Sequence, residues 1–376
     1  MTGTSTQGDG VVATPRQSTG QLVLNVARSI LVPLVALVIL AWGFQYLREA
    51  SGSRIIIVVV ALVVGVGGVF ALFWGMNEVV NRLPASFRES VRPYVFVGPA
   101  VAILGLFLVY PVINTLITSL QNSTSTGFVG LDNFRFVFSD PSMLRAIRNT
   151  LGWIVIVPLF GTAIGLVFAT LADRLRRGEA FAKSMLFLPM AISFAGAAIT
   201  WRLVYSFRPS GFGSNIGLFN GVMLGLGQKP VAWLDVQPWN NLMLMVIMIW
   251  MQTGFALVVL SAAIKSVPDE IIEAARIDGA SEWQVFRRII VPSILPTIVV
   301  VATYMVINAL KVFDIVFIVG SAETRGTEVI AERMIAWFFI RANAGRGAAI
   351  AVVLFIAVIP VMIWNVKRFK EQESIR

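Results

Sequence analysis

The chain has 376 residues, of which 57% are hydrophobic and only 13% are charged. Soluble domains contain about 45–50% apolar and about 25% charged residues, so this composition predicts an integral membrane protein. The absence of His and Cys excludes disulfides, Ser-His-Asp triads and the usual zinc sites. The net charge of +10 comes from Lys and Arg beside apolar spans. Such residues bind anionic membrane lipid, so nucleic acid is not an expected partner.

The sequence also lacks the residues of other common function classes. It has no P-loop motif G-x-x-x-x-G-K-[ST], which nucleotide-hydrolysing domains use to hold phosphates. We therefore predict that the chain is not an enzyme and has no catalytic residue, metal site or cofactor of its own. All 20 carboxylates lie outside the predicted spans. This disfavours a proton- or sodium-driven carrier, which usually needs a charged group inside the membrane, but a secondary carrier or channel stays open as the alternative.

Long apolar segments determine the predicted fold. Residues 1–20 are polar and aperiodic and are predicted to form a disordered cytoplasmic tail. Residues 21–92 are predicted to hold two extra spans and an amphipathic, basic segment on the inner membrane surface, Met76–Arg92. Residues 93–376 hold six more segments long enough to cross about 30 Å of hydrocarbon. The predicted fold class is an all-α integral membrane protein, a bundle of eight transmembrane helices, with spans at Leu22–Leu47, Ile55–Gly75, Tyr94–Ser119, Thr150–Ala172, Ser184–Tyr205, Trp239–Ile264, Ser293–Leu310 and Gly347–Val366.

The distribution of Lys and Arg predicts the orientation of these spans. Short inner loops of membrane proteins are rich in both residues. The loop Asp173–Lys183 holds four of them, whereas the longer loop Ser206–Pro238 holds only two. Both termini are therefore predicted to be cytoplasmic. Four tryptophans near span ends are expected at the membrane interfaces: Trp201, Trp233, Trp239 and Trp337.

The segment 265–292, which we call the elbow, lies between the sixth and seventh predicted spans and is too charged to cross a membrane. Each charge at mid-bilayer costs about 2.5–3.5 kcal/mol. Local signals instead predict two short helices. Pro268 suits a first helical turn, Gly279 can end a helix in the left-handed conformation, and Ser281 with Gln284 forms a capping box for the second helix. We expect a compact helical turn on the cytoplasmic side.

The elbow also carries a spaced motif. Glu273-Ala274-Ala275 is followed by Gly279 and, after nine further residues, by Ile289-Ile290-Val291-Pro292. This pattern resembles the EAA motif of ABC-importer permeases, with Val291 where that family has Leu; Pro292 is expected to interrupt the second helix. In the family the motif forms a coupling helix that docks into a cleft of the ATP-hydrolysing subunit. The ATPase-coupling residues implied by the resemblance are Glu273, Ala274, Ala275, Asp278, Gly279, Ile289 and Pro292.

Other motifs resemble the carbohydrate branch of these permeases. Residues Val129–Phe134 with Asn149-Thr150 resemble its V-G-L-x-N-F…N-T pattern. The alternative is that the residues of this segment simply form a local turn. Phe313-Asp314 and the tail 345–372 resemble the permeases of α-glucoside importers within the maltose-type group. The resemblance covers roughly residues 93–372, and the first two spans are an extension that some members of that group carry.

The resemblance implies a function and a set of partners. The chain would be a permease subunit of an ATP-driven importer in a bacterial cytoplasmic membrane, forming half of the pathway for a neutral oligosaccharide or α-glucoside. Its implied partners are two copies of an ABC ATPase, a second permease subunit and an extracytoplasmic sugar-binding protein, with ATP and Mg on the ATPase. Polyols and glycerol phosphate stay open as cargo. The loop Asp173–Lys183 is interpreted as solvated, with a second ATPase contact as the alternative.

Two polar stripes inside the membrane are candidates for the substrate path. Residues spaced i, i+4, i+7 share one helix face, and sugar sites combine neutral hydrogen-bonding groups with apolar or aromatic faces. Packing between helices explains Gln252 and Asn308 equally well, and it is favoured for Met248 and Phe255. The candidates are Met248, Gln252 and Phe255 on the sixth span and Tyr304, Asn308 and Lys311 on the seventh.

Lys311 and Asp314 are three positions apart at the predicted outer end of the seventh span. At this spacing on a helix, opposite charges form an ion pair, and we interpret the two residues in this way. The alternative is a role in an external gate, which adds Asp314 to the substrate-path candidates.

Overall fold

The computed structural model describes residues 19–49, 53–81, 85–175, 177–209, 211, 213–214, 216–320 and 322–373. In these ranges all regular structure is helical apart from one isolated bridge between Gln121 and Phe128, which confirms the all-α prediction. Five described helices are long and apolar enough to cross a membrane, and the number is seven if each of two bent helix pairs is one span. They coincide with seven of the eight predicted spans. The remaining predicted span, Leu22–Leu47, lies within the helix Thr19–Glu49, and that it crosses the membrane stays a prediction.

Residue contacts divide the chain into two compact units, Met1–Pro111 and Val112–Arg376. The first contains α1 (Thr19–Glu49), α2 (Arg54–Asn81) and most of α3 (Phe87–Ser119). The predicted domain boundary between residues 92 and 93 stays a prediction, whereas the division by contacts lies inside α3. The reason is that the first part of α3 packs against α2, where the rings of Phe73 and Phe96 stack with their centroids 6.2 Å apart.

The predicted surface segment Met76–Arg92 is divided between two helices. Residues 76–81 continue α2, and residues 87–92 begin α3. Residues 82–84 lie outside the described part of the chain. The described residues on either side thus belong to long helices, and no separate surface helix is found among them.

The second unit contains the elbow and the remaining predicted spans. Its helices are α4 (Asp132–Ser139), α5 (Pro141–Asp173), α6 (Glu179–Ala191), α7 (Phe194–Val204), α8 (Leu218–Gly225), α9 (Trp239–Lys265), α10 (Asp269–Ile277), α11 (Glu282–Ser293), α12 (Leu295–Leu310), α13 (Asp314–Val319), α14 (Ala322–Arg325), α15 (Ile330–Ile335, continued by a π-helical turn, Ala336–Ile340) and α16 (Ala344–Glu373).

Helix α9 is the central helix of this unit. More than half of its most apolar stretch is buried, because α5, α6 and α12 all contact it. Trp153 on α5, Ile247 on α9 and Ile315 on α13 are fully buried in one apolar cluster. The indole N–H of Trp153 also donates to the side-chain oxygen of Asn241 at 3.0 Å. Close side-chain packing of this kind is the main force between helices in lipid.

The predicted span Ser184–Tyr205 is not one straight helix. Helices α6 and α7 form a pair bent by 99°. The chain passes through a 3₁₀ turn that contains Pro189 and becomes extended at Ile192. Ser193 then caps α7 by accepting a hydrogen bond from the N–H of Gly196 at 3.1 Å. The 11 residues of α7 extend only about 16 Å, so this helix alone is too short to cross a membrane.

A second bend separates α11 from α12 by 68°. The prediction that Pro292 interrupts the second helix is wrong. The break comes two residues later, at Ile294, which has φ −96° and ψ 4°. Pro296 explains this position, because it lacks the N–H that would bond to the carbonyl of Pro292. The bend between the elbow and α12 therefore follows from Pro296.

Three of the four tryptophans expected at the interfaces pack inside the second unit. The ring of Phe219 contacts both Trp201 and Trp233, with centroids 6.2 and 5.9 Å away, and Trp337 is buried. The loop that follows α7 folds back because fully buried Asn220 accepts from the indole N–H of Trp233 at 3.1 Å. Trp239 alone is largely exposed.

Candidate functional site

The elbow has the two helices that the sequence predicts, α10 and α11. Pro268 immediately precedes α10 as its N-cap, one residue earlier than predicted. Gly279 has φ +82°, a left-handed conformation that glycine adopts without the strain a side chain would cause. At the start of α11 the N–H of Ser281 donates to Gln284 Oε1 at 2.7 Å, and the N–H of Gln284 donates to Ser281 Oγ at 3.4 Å. The predicted capping box is confirmed.

An ion pair closes the turn between α10 and α11. The guanidinium of Arg276 donates to both oxygens of Glu282, at 2.8 and 3.2 Å, and Arg174 approaches the same carboxylate at 3.8 Å. The hydrogen bond to Glu282 raises the pKa of Arg276. Exposed ion pairs add little stability, but this bidentate contact fixes the angle between the two short helices.

The elbow is anchored on one side and exposed on the other. Val267, Ile272 and Ile290 pack in an apolar cluster with residues of α5, α9 and α12. In contrast, Ile277 is 85% exposed and Trp283 is 65% exposed, and exposed apolar residues close together mark protein contact sites. Of the predicted coupling residues, Ala275 and Ile289 are half-buried, and the others are exposed: Glu273, Ala274, Asp278, Gly279 and Pro292.

A cavity of about 250 Å³ lies at the other end of α12. It brings together four of the predicted substrate-path residues, from α9, α12 and the start of α13. Phe194, the first residue of α7, also contributes to the wall, although no sequence pattern indicated it. The lining residues are Phe194, Met248, Asn308, Lys311, Val312, Phe313, Asp314 and Ile315.

The other three substrate-path candidates lie outside this cavity. Gln252 is buried within α9. Phe255 and Tyr304 contact each other, with ring centroids 4.4 Å apart, so this pair packs α9 against α12. Asn308 does not join two helices, because its amide N–H donates to the carbonyl of Tyr304 on its own helix at 3.0 Å.

The predicted ion pair between Lys311 and Asp314 is wrong. Among the described residues neither side chain forms a salt bridge, and both line the cavity. Helix α12 ends at Leu310, and Phe313 has φ −133° and ψ −54°. The two residues therefore do not share the helix face that an i, i+3 pair requires.

The V-G-L-x-N-F…N-T pattern has a structural role. Asn133 donates to the carbonyls of Ser119 and Gln121 at 2.9 and 2.7 Å, which fixes the loop after α3. Asn149 donates to the carbonyls of Gly326 and Glu328, each at 2.9 Å. These contacts connect α3 and α5 to segments distant in the chain, so the pattern is more than a local turn.

The family follows from a match to these same helices. The model of the family described as "Binding-protein-dependent transport system inner membrane component" matches residues 161–366. This range runs from the middle of α5 into α16, and it includes the elbow and every residue that lines the cavity. The chain belongs to this family. It is a permease component of a transport system, not an enzyme.

Curated relatives support the same assignment over most of the chain. The osmoprotective compounds uptake permease protein GgtC of Synechocystis sp. is 50% identical over 75% of this permease and 100% of its own length. The α-glucoside transport system permease protein AglF of Rhizobium meliloti is 42% identical over 84% of this permease and 97% of its own length. The predicted resemblance to permeases of carbohydrate ABC importers is confirmed.

A solved structure shares the fold. A chain of a bacterial ABC transporter that imports alginate matches 76% of this permease and 99% of that chain, with a TM-score of 0.65 and 24% identity. The match confirms the predicted fold class, that of an ABC-importer permease.

Proposed function

We propose that this permease imports a neutral oligosaccharide or α-glucoside. The observation that carries the proposal is the cavity at the end of α12. Asn308, Lys311 and Asp314 provide donors and acceptors for sugar hydroxyls. Phe194 and Phe313 provide apolar ring surfaces of the kind that contact the C–H faces of sugars. The similarity to the α-glucoside permease of Rhizobium meliloti supports this substrate class.

The charges of the cavity favour neutral cargo. Lys311 and Asp314 have opposite charges, so the net charge of the cavity wall is zero. Because they do not pair with each other, both charged groups are available to cargo. A neutral polyhydroxylated molecule can donate to the carboxylate and accept from the ammonium at the same time. A phosphate or carboxylate cargo would gain from Lys311 but would be repelled by Asp314. Glycerol phosphate and polyols remain the second candidates, since relatives of this family include a glycerol phosphate permease.

The proposed mechanism uses the elbow as the contact with a separate ATPase. Two ATPase copies would bind ATP and Mg and close, and the exposed side of the elbow would move with them. Helix α9 ends at the elbow and α12 begins directly after it, and the opposite end of α12 lines the cavity. Movement of the elbow would therefore tilt the helices that surround the cargo and change the side from which the cavity is open.

The proposed assembly contains several further partners. A second permease subunit would form the other half of the pathway, and an extracytoplasmic binding protein would deliver the sugar. The volume of about 250 Å³ is slightly below the ~300–1,000 Å³ of typical ligand pockets, which supports a cavity completed by another subunit. We place both termini in the cytoplasm and the permease in the bacterial cytoplasmic membrane, with eight spans.

The test is uptake by the complete complex. The affinity-tagged permease would be purified from native membranes, its partners identified by mass spectrometry, and the complex reconstituted with labelled maltose, trehalose, glycerol or glycerol phosphate. We expect a P-loop ATPase, a second permease and a binding protein in the preparation. We also expect ATP-dependent uptake of α-glucosides that is unchanged when proton and sodium gradients are collapsed. Uptake without ATP, or of glycerol phosphate alone, would contradict the proposal.

A further inference from the structure

Helix α6 lies antiparallel along one face of α9. Gly254, Ser261 and Lys265 are spaced by seven and four residues and so share this face. A Cβ atom on Gly254 would lie only 2.5 Å from the carbonyl oxygen of Leu186 and 2.7 Å from Cα of Phe187. The two backbones are therefore in direct contact at the deep end of α6. Closer to the elbow, polar side chains replace this backbone contact.

Five residues form what we call the inner knot, at the ends of α5, α6 and α9. The ammonium of Lys183 lies 2.6 Å from Asp173 Oδ1 and 2.6 Å from Glu179 Oε1, and it also contacts Ser261 Oγ. The Ser261 hydroxyl donates to Asp173 Oδ1 at 2.6 Å. Lys265, the last residue of α9, contacts Glu179. The sequence-based interpretation of 173–183 as a solvated loop is wrong for these side chains.

The inner knot is compact and electrically balanced. Its two carboxylates and two ammonium groups sum to zero charge. All three donors of Lys183 have acceptors, and the side chains of Lys183 and Asp173 are 19% and 11% exposed, whereas those of Glu179 and Lys265 are 29% and 52% exposed. Such a hydrogen-bonded network with a buried centre fixes one relative position of its helices. It joins α6 to the end of α9, four residues before the elbow helix α10 begins.

Helix α6 leads from the inner knot to the cavity. It ends at Ala191, and after the 99° bend the chain continues into α7 with Phe194, whose side chain lines the cavity beside Met248 and Asn308. The elbow is covalently connected to α9 and α12. The inner knot provides the connection from the elbow to the bent pair of α6 and α7.

We propose that the inner knot makes α6 move together with the elbow, so that Phe194 is displaced at the cargo cavity when the ATPase closes. Lys183 is then a positioning residue for transport, acting through α6 and not by touching cargo. The inference rests on the proposed function, because the elbow must be the ATPase contact. It adds a second route of transmission, through the broken span, to the direct route through α12.

The permease has no cysteine, so a maleimide that labels the permease can react only with the cysteine introduced at a chosen position. The complex with its ATPase would carry Phe194→Cys, and the rate of labelling by a membrane-impermeant maleimide would be measured without nucleotide and after ADP–vanadate trapping. Lys183→Met would remove the charge at the centre of the inner knot, and Lys183→Arg would keep it. Arg177→Met is the matched control, because Arg177 is an exposed residue of the same loop outside the inner knot.

With an intact inner knot we expect trapping to change the labelling rate about tenfold, within the ~5–150-fold range of common allosteric couplings. Lys183→Met should reduce this change to less than about twofold while ATP hydrolysis continues, and Lys183→Arg and Arg177→Met should retain it. If Lys183→Met lowers the yield of the complex, Ser261→Ala tests the same contact, since it removes only the hydroxyl between the helices.

Two results would overturn the inference. One is an undiminished change in Lys183→Met or Ser261→Ala, and the other is no change in the labelling of Phe194→Cys even with the inner knot intact. Both leave the proposed function standing if ATPase co-purifies and sugar uptake is normal. Failure of the ATPase to co-purify with the unmodified permease would instead overturn the proposed function and this inference with it.

Discussion

The carboxylate of Glu328, which is completely buried, accepts a hydrogen bond from Arg145 at 3.0 Å. The two residues are 183 positions apart, and they join α5 to the segment before α15. Among the described residues Arg145 forms the salt bridge to this buried carboxylate, and the charge of Arg333 also interacts favourably with it. This contact therefore joins two distant segments of the second unit through a carboxylate that has no access to water.

Loss of the arginine should destabilise the permease. Arg145→Met leaves the buried Glu328 carboxylate without its salt bridge, and we expect a cost of about 2 kcal/mol, below the ~3–5 kcal/mol for fully buried pairs because Arg145 is partly exposed. Glu328→Gln should cost less, since a neutral amide is cheaper to bury. Thermal unfolding in detergent measures both. An equal melting temperature for Arg145→Met and the unmodified permease would refute the role of the pair.

A second contact across the same helices involves Thr150. Its hydroxyl accepts a hydrogen bond from the N–H of Ile330 at 3.0 Å, and both groups are buried. Thr150→Val leaves that N–H without a partner, which typically costs about 1–3 kcal/mol. Thr150→Ser keeps the hydroxyl and is the control. We expect a lower unfolding temperature for Thr150→Val than for Thr150→Ser, and the reverse order would contradict this role of the N-T motif.

The turn of the elbow depends on the left-handed conformation of Gly279. Proline fixes φ near −65°, far from the observed +82°, so Glu273→Ala combined with Gly279→Pro should abolish uptake while membrane insertion is retained. Gly279→Asn is the control, because Asn tolerates the left-handed region. Insertion is checked by the yield of the permease in the membrane fraction. Normal uptake in the double variant would exclude the elbow as the coupling element.

The elbow could be predicted because its signals are local. The capping box joins Ser281 to Gln284, three residues away, and the helix stop at Gly279 requires only that residue's own backbone conformation. A short stretch of sequence therefore contains all the information for this structure. The all-α fold and most spans could be predicted for a similar reason, since each span is one continuous apolar segment.

The cavity could be predicted only in part, because its wall combines distant segments. The spacing in the sequence puts Met248 on one helix face with Gln252, and Asn308 on one face with Tyr304, but nothing local places Phe194 beside them. The Lys311–Asp314 pair was predicted on the assumption that the helix continues, and α12 ends at Leu310. The inner knot was missed because Ser261 and Lys183 carry no distinguishing pattern until α6 and α9 are packed together.

The cavity residues should affect the affinity for cargo. Removing a group that binds a sugar hydroxyl leaves that hydroxyl unpaired, and the loss of about 1–3 kcal/mol raises KM for uptake about 5–160-fold. We expect this result for Asn308→Ala and for Asp314→Asn. Lys229→Met, which removes a charge from another loop, serves as the control. The measurement is uptake against concentration of loaded binding protein, with basal ATP hydrolysis measured in parallel; an unchanged KM in both cavity variants would refute the path.

The exposed apolar side of the elbow should determine how tightly the ATPase binds. Ile277 is 85% exposed, so its replacement by a charged residue does not disturb the folded permease, but a carboxylate at that place would lose its hydration in a protein interface. Ile277→Asp should therefore reduce the ATPase recovered with the tagged permease at least about tenfold, a change of ~1.4 kcal/mol in binding. Ile216→Asp changes an isoleucine that is 62% exposed in a loop outside the elbow, and it should retain the ATPase. Equal loss in both variants would mean that the substitution acts on folding and not on docking, and equal retention would exclude Ile277 from the interface.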